Sequence, residues 1–388
     1  MPILPAAETI ATPAAETRVS RGGSAIDNDP NDGSTRQVLD LIRRVDGTMR
    51  DALGEINEIN RRTRMLALNA QIEAVRAGAA GGAFAVVAAE MQKLAAGAGD
   101  ASAKMNRQTS ANIKELAQLI DSSIRGTRLA DLSLNNIDLI DRNLYERTCD
   151  VRWWATDSDL VAAATDPAED HTERAADRLA TILRSYTVYH DLVLCSADGR
   201  VLAAGRDDQF KTVGTSVQGI PWFDAALQTR SGDDYTFQSV HDSTLVKEQP
   251  TLAYATAVRR DGRVDGEVVG VLGILFEWDA LAQTIVDRTP IADDEWPSTR
   301  VAIVDSDGRV LAASSARPSP TSANPLAALK IGERLPSALR KKVASATGHG
   351  YFVDRSNGKT HCVAHAASPG YETYRTGWTG VIVQTIDE

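Results

Sequence analysis

The chain has 388 residues, and its 52 Asp and Glu outnumber 42 Lys and Arg, which gives a formal net charge of −10. This length accommodates two or three domains, and the acidic balance argues against nucleic-acid binding, which needs a basic face. The three cysteines are far apart and predict neither a disulfide framework nor a metal site. No apolar run is long enough to span a membrane and no signal-peptide pattern is present, so we expect a cytoplasmic protein without membrane insertion.

The first part of the chain predicts a tail followed by a helical hairpin. Residues 1–34 are rich in Pro, Ala, Gly, Ser and Asp, so we expect a disordered tail. From Thr35, apolar or small residues recur at alternating steps of four and three, the period of a left-handed coiled coil. These positions, which we call the apolar stripe, are Val38, Ile42, Val45, Met49, Ala52, Ile56, Ile59, Thr63, Leu66 and Ala70, then Phe84, Val87, Met91, Leu94, Ala98, Ala101 and Met105.

Three glycines, Gly78, Gly81 and Gly82, lie between the two halves of the stripe and predict a tight reversal. The sequence therefore predicts a long antiparallel helical hairpin over residues 35–125. A single hairpin leaves its apolar stripes open, so we expect a homodimer that forms a four-helix bundle.

The segment from Ile59 to Ala95, INRRTRMLALNAQIEAVRAGAAGGAFAVVAAEMQKLA, resembles the cytoplasmic tip of bacterial chemoreceptors, the methyl-accepting chemotaxis proteins. The resemblance implies a surface on which dimers cluster and engage a CheA-type histidine kinase and a CheW-type adaptor. It assigns dimer–dimer contacts to Asn69 and Arg76, with Met65 and Leu68 beside them. Ile72 and Glu73 would contact the kinase and the adaptor.

Some residues depart from the chemoreceptor pattern. Arg61, Arg62 and Arg64 stand where the family has uncharged residues, and Ala79 replaces a Glu at the tip. Three added cations could change which partners dock, because like charges disfavour crowding. Adjacent Glu or Gln pairs, which chemoreceptors offer for reversible methylation, are absent between residues 36 and 125.

The second part of the chain predicts an α+β sensor. Helical periodicity continues into a connector and long helix over residues 126–190, and strand-like patterns begin at Asp191. The sequence DGRVLAA occurs at Asp198–Ala204 and again at Asp307–Ala313, and each copy predicts a β-hairpin. This duplication predicts two stacked α+β modules, over residues 191–290 and 291–388.

The sensor half resembles a double Cache domain, which is a pair of PAS-like antiparallel α+β modules that follow one long helix. The resemblance rests on the two hairpins and on the order of RTCDVRWWATDSDLVAAA, PWFDAAL, EVVGVLGILFEW and AHAASPGYETYRTGW. Cache sensors usually lie outside the membrane and precede the signalling tip. Here the tip comes first, so we expect an internal signal.

The candidate ligand pocket is an aromatic and polar cluster in the first module. Aromatic walls with a few polar groups are typical of small-molecule pockets. The alternative is that Trp222, Phe237 and Tyr254 are core residues of a sheet. The candidates are Trp222, Phe223, Tyr235, Phe237, His241, Asp242 and Tyr254.

An amino-acid ligand is not expected. Amino-acid-sensing Cache domains carry an Arg two residues before this tryptophan and an Asp late in a following strand. Those positions are Ile220 and Leu275 here. An amino acid would then be buried with its charges unpaired, which is costly.

No hydrolase, kinase or nucleotide-binding motif occurs, so we expect no enzymatic activity and no cofactor. His361 and His365 in HCVAH could share a strand face, but two histidines without a third donor favour ordinary strand residues over a metal site.

The leading hypothesis is a cytoplasmic chemoreceptor-like transducer with an unidentified small-molecule ligand. The alternative is a non-sensing interaction protein that occupies or caps receptor arrays; a thermal-shift screen with metabolites distinguishes the two.

Overall fold

The computed structural model describes residues 30–316, 318–319, 323–356 and 358–386. The chain divides into two compact units, residues 1–119 and 120–388. Of the predicted tail, residues 1–29 lie outside the described residues. The first helix, α1 (Pro30–Arg76), begins five residues before the predicted start at Thr35, with a proline in its first turn, where the missing N–H costs no helical hydrogen bond.

The first unit is the predicted helical hairpin. A single 3₁₀ turn (Gly78–Gly81) joins α1 to α2 (Gly82–Trp154), and Gly78 takes a φ of 57°, which the reversal requires. Buried residues recur at multiples of seven positions on each arm, and most of them are small. They are Leu53, Ala67 and Ala74 on α1, and Ala88, Ala95 and Ser102 on α2. This heptad line is the contact between the two arms.

The apolar stripe lies beside this contact rather than in it. Leu66 is 63% exposed and Leu94 is 66% exposed, whereas Ala67 and Ala95, each one residue further along, are buried. Thr63 is half-buried and Phe84 is exposed. The sequence pattern did not identify this buried line of mostly small residues, and the bulkier stripe is left exposed beside it.

The second unit continues with the rest of α2 and contains the first sheet. The sheet has the strand order β2-β1-β5-β4-β3, and the hydrogen-bonded pairs are antiparallel. The elements are α3 (Ser158–Thr165), α4 (Glu169–Ser185), β1 (Tyr189–Ser196), β2 (Val201–Ala204), α5 (Asp207–Phe210), α6 (Pro221–Leu227), β3 (Thr236–Ser243), β4 (Gln249–Arg259) and β5 (Val268–Glu277).

The second sheet repeats this topology, with the order β7-β6-β10-β9-β8. In both sheets the DGRVLAA copy forms the turn and the second strand of the first hairpin. Gly199 and Gly308 adopt positive φ in the two turns. The predicted α+β class with two antiparallel modules is therefore confirmed. The elements are α7 (Trp278–Asp287), β6 (Thr299–Val304), β7 (Val310–Ala313), α8 (Ser337–Ser345), β8 (His349–Ser356), β9 (Lys359–Ala367) and β10 (Thr379–Ile386).

One apolar core joins α2 to both sheets. Ile137, Ile140 and Leu144 of α2 are fully buried, and they share a cluster with Ile274 of the first sheet and Ile382 of the second. Each sheet thus turns one face toward this shared core, which we call the helix face. The other face of each sheet has a separate core.

The buried carboxylate of Asp141 ties α2 to the second module. It accepts hydrogen bonds from Ser368 Oγ (2.6 Å), Gly370 N (2.8 Å), Thr376 Oγ1 (2.7 Å) and Thr376 N (3.3 Å). These donors lie in the loop between β9 and β10, more than 220 residues along the chain from Asp141. The carboxylate therefore fixes that loop against the long helix.

None of the helices in the described residues combines the length and the apolarity that a bilayer crossing requires.

Candidate functional site

The six predicted tip-contact residues lie together on one exposed side of α1. At about 100° per residue, Met65, Asn69, Ile72 and Arg76 fall opposite to Ala67 and Ala74, whereas Leu68 and Glu73 lie about 100° to either side of that buried line. Consistent with this geometry, the six are exposed, while Ala67 and Ala74 are buried against the other arm. An i, i+3 ion pair joins Arg76 Nη1 to Glu73 Oε1 at 2.7 Å. The hairpin thus presents a polar and apolar face that its own packing does not use.

Two of the three added cations share one carboxylate. Arg61 and Arg62 both donate hydrogen bonds to Glu58, at 2.8 to 2.9 Å. The bonds from Arg61 and then Arg62 lower the pKa of Glu58 to about 2. Arg64 forms no ion pair among the described residues. The extra positive charge before the tip is therefore smaller than the sequence count indicates.

The seven candidate ligand residues do not form one cluster. Trp222 and Phe223, on α6, lie on the face of the first sheet away from α2, and each is 1% exposed. We call this the Trp222 face. His241 of β3 pairs with Thr251 on the same face, and Asp242 is exposed. The Trp222 face also includes Val193, Cys195, Ala253, Ala255, Val271 and Leu275.

Tyr235, Phe237 and Tyr254 instead lie on the helix face, toward the second module. The Tyr254 hydroxyl is 2.7 Å from that of Tyr374, and the Phe237 ring lies 6.3 Å from that of Trp378. Burial and the nearby Tyr374 hydroxyl raise the pKa of Tyr254 well above its usual value. These aromatic contacts join the two modules to each other.

The Trp222 face contains two buried polar atoms without a partner among the described residues, Trp222 Nε1 and Asp191 Oδ2. The indole packs directly over Gly273 of β5, where a Cβ would come within 2.7 Å of the ring. Gly273 pairs with Val193, and Asp191 lies two residues before Val193 on β1. An indole N–H and a carboxyl oxygen thus lack protein partners on one buried, mostly apolar surface.

Asp191 was not among the residues predicted from the sequence. Its Oδ1 accepts hydrogen bonds from Leu192 N (2.8 Å) and Arg206 N (3.0 Å). Burial nevertheless raises the pKa of Asp191 to about 7. The sequence feature that could have indicated Asp191 is an acidic residue directly before an apolar run, in DLVLC.

Asp191→Asn is expected to remove a component of the pH dependence of stability. A folded-state pKa of about 7, above the usual 3.8, means that the contribution is complete below about pH 4 and is lost as the pH rises through 7. Between about pH 5 and about pH 8, wild type should lose about 2 to 3 kcal/mol more unfolding free energy than Asp191→Asn. Urea unfolding of both proteins at the two pH values measures the difference; equal losses would contradict the assignment.

The two positions that matter for an amino-acid ligand carry apolar side chains on the Trp222 face. Leu275 is buried there, and Ile220 packs against the same cluster.

His361 and His365 are buried on β9, and His361 Nδ1 lies 3.1 Å from Thr385 Oγ1. Within the described ranges, no group of three or more His, Cys, Asp or Glu could hold a metal ion.

Known protein families match both halves of the chain. Residues 95–388 match the family model of the Cache domain, dCache_1, and residues 14–140 match that of the methyl-accepting chemotaxis protein (MCP) signalling domain. The chain thus combines a Cache domain with an MCP signalling domain. The chain belongs to the double Cache family and carries an MCP signalling domain at its N-terminal side.

Curated relatives match through limited segments. Methyl-accepting chemotaxis protein McpB of Bacillus subtilis is 37% identical over 94 residues, which cover 24% of this chain and 14% of McpB. Transducer protein Htr8 of Halobacterium salinarum is 35% identical over 142 residues, 33% of this chain and 22% of Htr8. Biofilm dispersion protein BdlA of Pseudomonas aeruginosa is 45% identical over 73 residues, 19% of this chain and 15% of BdlA. The chain thus spans less than a quarter of the length of these relatives.

Solved structures of sensory domains are similar at low identity. The sensory domain of the Campylobacter jejuni chemoreceptor Tlp3 is 16% identical with a TM-score of 0.48, and the match covers 67% of this chain and 93% of that domain. The ligand-binding domain of the Pseudomonas fluorescens chemoreceptor CtaA, in complex with L-serine, is 17% identical with a TM-score of 0.44, and covers 66% and 96%.

Proposed function

We propose that the protein is a cytoplasmic signal transducer that couples a small-molecule signal in its Cache unit to a CheA-type histidine kinase and a CheW-type adaptor. The observation that carries this proposal is the exposed tip face: six residues assigned to partner contacts are exposed on α1, and four of them lie opposite to its buried line. The cytoplasmic location follows from the proposed partners, which act in that compartment.

The apolar stripe supports a homodimer. In a four-helix bundle each helix contacts two neighbours about a quarter turn apart. Leu66 precedes Ala67 by one residue, or about 100° around the helix, so the stripe lies where a second neighbour would pack. Ile59, Leu66, Val87 and Leu94 are all more than half exposed in the single chain. A second copy would cover them, and the part of the tip face around Met65, Asn69 and Arg76 would stay free for higher clusters.

The Trp222 face supports ligand binding. Its unpartnered Trp222 Nε1–H and Asp191 carboxyl oxygen offer one donor and one acceptor within an apolar surround. Apolar Ile220 and Leu275 give no charges for a zwitterion, so we propose a ligand other than an amino acid. By contrast, the almost complete burial of Trp222 and Phe223 favours the alternative of a non-sensing protein that occupies receptor arrays.

Signal transfer would pass through α2. This helix carries the second arm of the hairpin and also packs in the sensor core, where Asp141 fixes it to the second module. A small shift of the helix is enough to change the hairpin if the bundle has two packings of similar free energy.

Arg76→Ala and Glu73→Ala are expected to weaken capture of the purified chemotaxis kinase and adaptor by at least about tenfold, because each removes a charged group from the tip face. Pull-down of both partners by the immobilised full chain measures the effect. Arg43→Ala is the matched control, since Arg43 forms a similar exposed i, i+3 pair with Asp40 far from the tip. Capture that is unchanged in both tip variants would refute the assigned roles.

A further inference from the structure

Three arginines meet at a small cavity at the end of the long helix, within the sensor unit. The cavity measures about 30 Å³ and is open on one side. Arg152 and Thr156 reach it from the end of α2, whereas Arg259 and Arg263 reach it from the end of β4 and from the loop that leads to β5. None of these residues belongs to the Trp222 face.

Arg259 lines this cavity with a buried side chain. The side chain is 8% exposed, and its two terminal nitrogens donate to Gly266 O (2.8 Å) and Thr229 O (2.6 Å). Its Nε–H is buried and has no acceptor in the described part of the chain. Leaving such a donor unpaired is costly, more so when the group is charged.

The positive charge at the cavity is not balanced by nearby carboxylates. Arg152 donates to Thr148 O (2.7 Å) and Asp233 O (3.3 Å), both of them backbone carbonyls, and lies over the Tyr235 ring. Among the described residues neither Arg152 nor Arg259 forms an ion pair, and Arg263 pairs only with the exposed Asp265.

Another buried arginine of the same unit shows the contrast. Arg147 is as buried as Arg259 and its Nε–H likewise has no hydrogen-bond partner among the described residues, but a carboxylate oxygen of Asp150 lies 3.2 Å from that nitrogen. A buried cation that lacks such a partner is destabilising unless a counterion is supplied. At Arg259 the chain supplies backbone carbonyls and an empty space.

We propose that this cavity binds one small inorganic oxyanion, such as phosphate or sulfate. The planar guanidinium presents its N–H groups in a fork that matches oxyanion geometry. A volume of about 30 Å³ holds about two waters, so it suits a single small ion and not a whole metabolite. The ion would join the end of α2 to the β4–β5 loop, and so oppose separation of the helix from the sheet at that end.

Isothermal titration of the full chain with sodium phosphate and sodium sulfate, at constant ionic strength set by sodium chloride, tests the site. We expect saturable binding of one oxyanion per chain and a matching rise in the thermal unfolding midpoint. Arg263→Gln, at an exposed position, should weaken binding by about tenfold, as one charge-assisted hydrogen bond is lost. Arg260→Gln is the control, because Arg260 is also exposed, pairs with Glu267 and does not line the cavity.

Arg152→Gln is a second variant that leaves the buried Arg259 in place, and it should weaken binding to a similar degree. Absence of saturable binding to the wild type overturns the proposal. So does equal binding by the Arg263→Gln, Arg152→Gln and Arg260→Gln proteins, which would place the ion elsewhere. Binding that chloride abolishes at equal concentration overturns the oxyanion class.

Discussion

Asp141→Ala is expected to lower the unfolding free energy of the sensor unit by about 3 to 5 kcal/mol. The buried carboxylate accepts four hydrogen bonds from Ser368, Gly370 and Thr376, and its removal leaves these donors without an acceptor inside the protein. The loop between β9 and β10 also carries Tyr374, whose hydroxyl meets that of Tyr254 in the first module. We therefore expect the contact between the modules to loosen as well.

Thermal and urea unfolding of the full chain measure this loss, and hydrogen exchange at residues 368–377 reports the loop directly. Asp138→Ala is the matched control, because Asp138 lies one turn earlier on α2 and, within the described part of the chain, makes only an i, i+4 ion pair with the exposed Arg142. Its replacement should cost less than about 1 kcal/mol. Equal effects of the two substitutions would show that the four hydrogen bonds contribute little.

Leu66→Glu is expected to weaken self-association of the chain by at least about a hundredfold. Leu66 is 63% exposed in the single chain, and the proposed dimer would bury it in both copies. Each copy would then lose about 2 to 3 kcal/mol of apolar burial and would place a carboxylate in an apolar contact. Sedimentation velocity over a range of concentrations measures the dissociation constant.

Leu68→Glu is the control for charge and helix propensity, because Leu68 is 47% exposed and lies about 100° from Ala67 on the side of α1 away from Leu66. It should leave the dimer intact. A wild-type protein that stays monomeric at micromolar concentration would refute the bundle. Dissociation by Leu68→Glu but not by Leu66→Glu would place the dimer contact on the other side of α1.

Strong local patterns made several elements predictable. The two DGRVLAA segments form hairpins in corresponding places of two sheets, because an Asp-Gly turn between apolar strands specifies its own geometry. The strand β3 (Thr236–Ser243) was not predicted, since it is a half-exposed edge strand whose polar side chains resemble a loop.

The candidate pocket shows where local patterns fail. Trp222, on a short helix, and Tyr254, on a strand, are both aromatic and fully buried, yet they lie on opposite faces of the sheet. Strand register decides the face, and β3 also contains an irregularity between Gln238 and His241. Asp191 and Asp141 were missed because their roles depend on partners and burial that come from distant parts of the chain.

The sequence by itself determined the hairpin, the duplicated modules and the two family resemblances, because heptad spacing, turn residues and dense motifs act over short stretches of chain. Only the tertiary structure decided which line of each helix is buried. It buried Ala67 and Ala95 and left Leu66 and Leu94 exposed, because the buried line of a helix is set by what packs against it and not by the helix's own periodicity. It also gathered Arg152, Arg259 and Arg263 around one cavity, because folding brings the end of α2 to the end of β4.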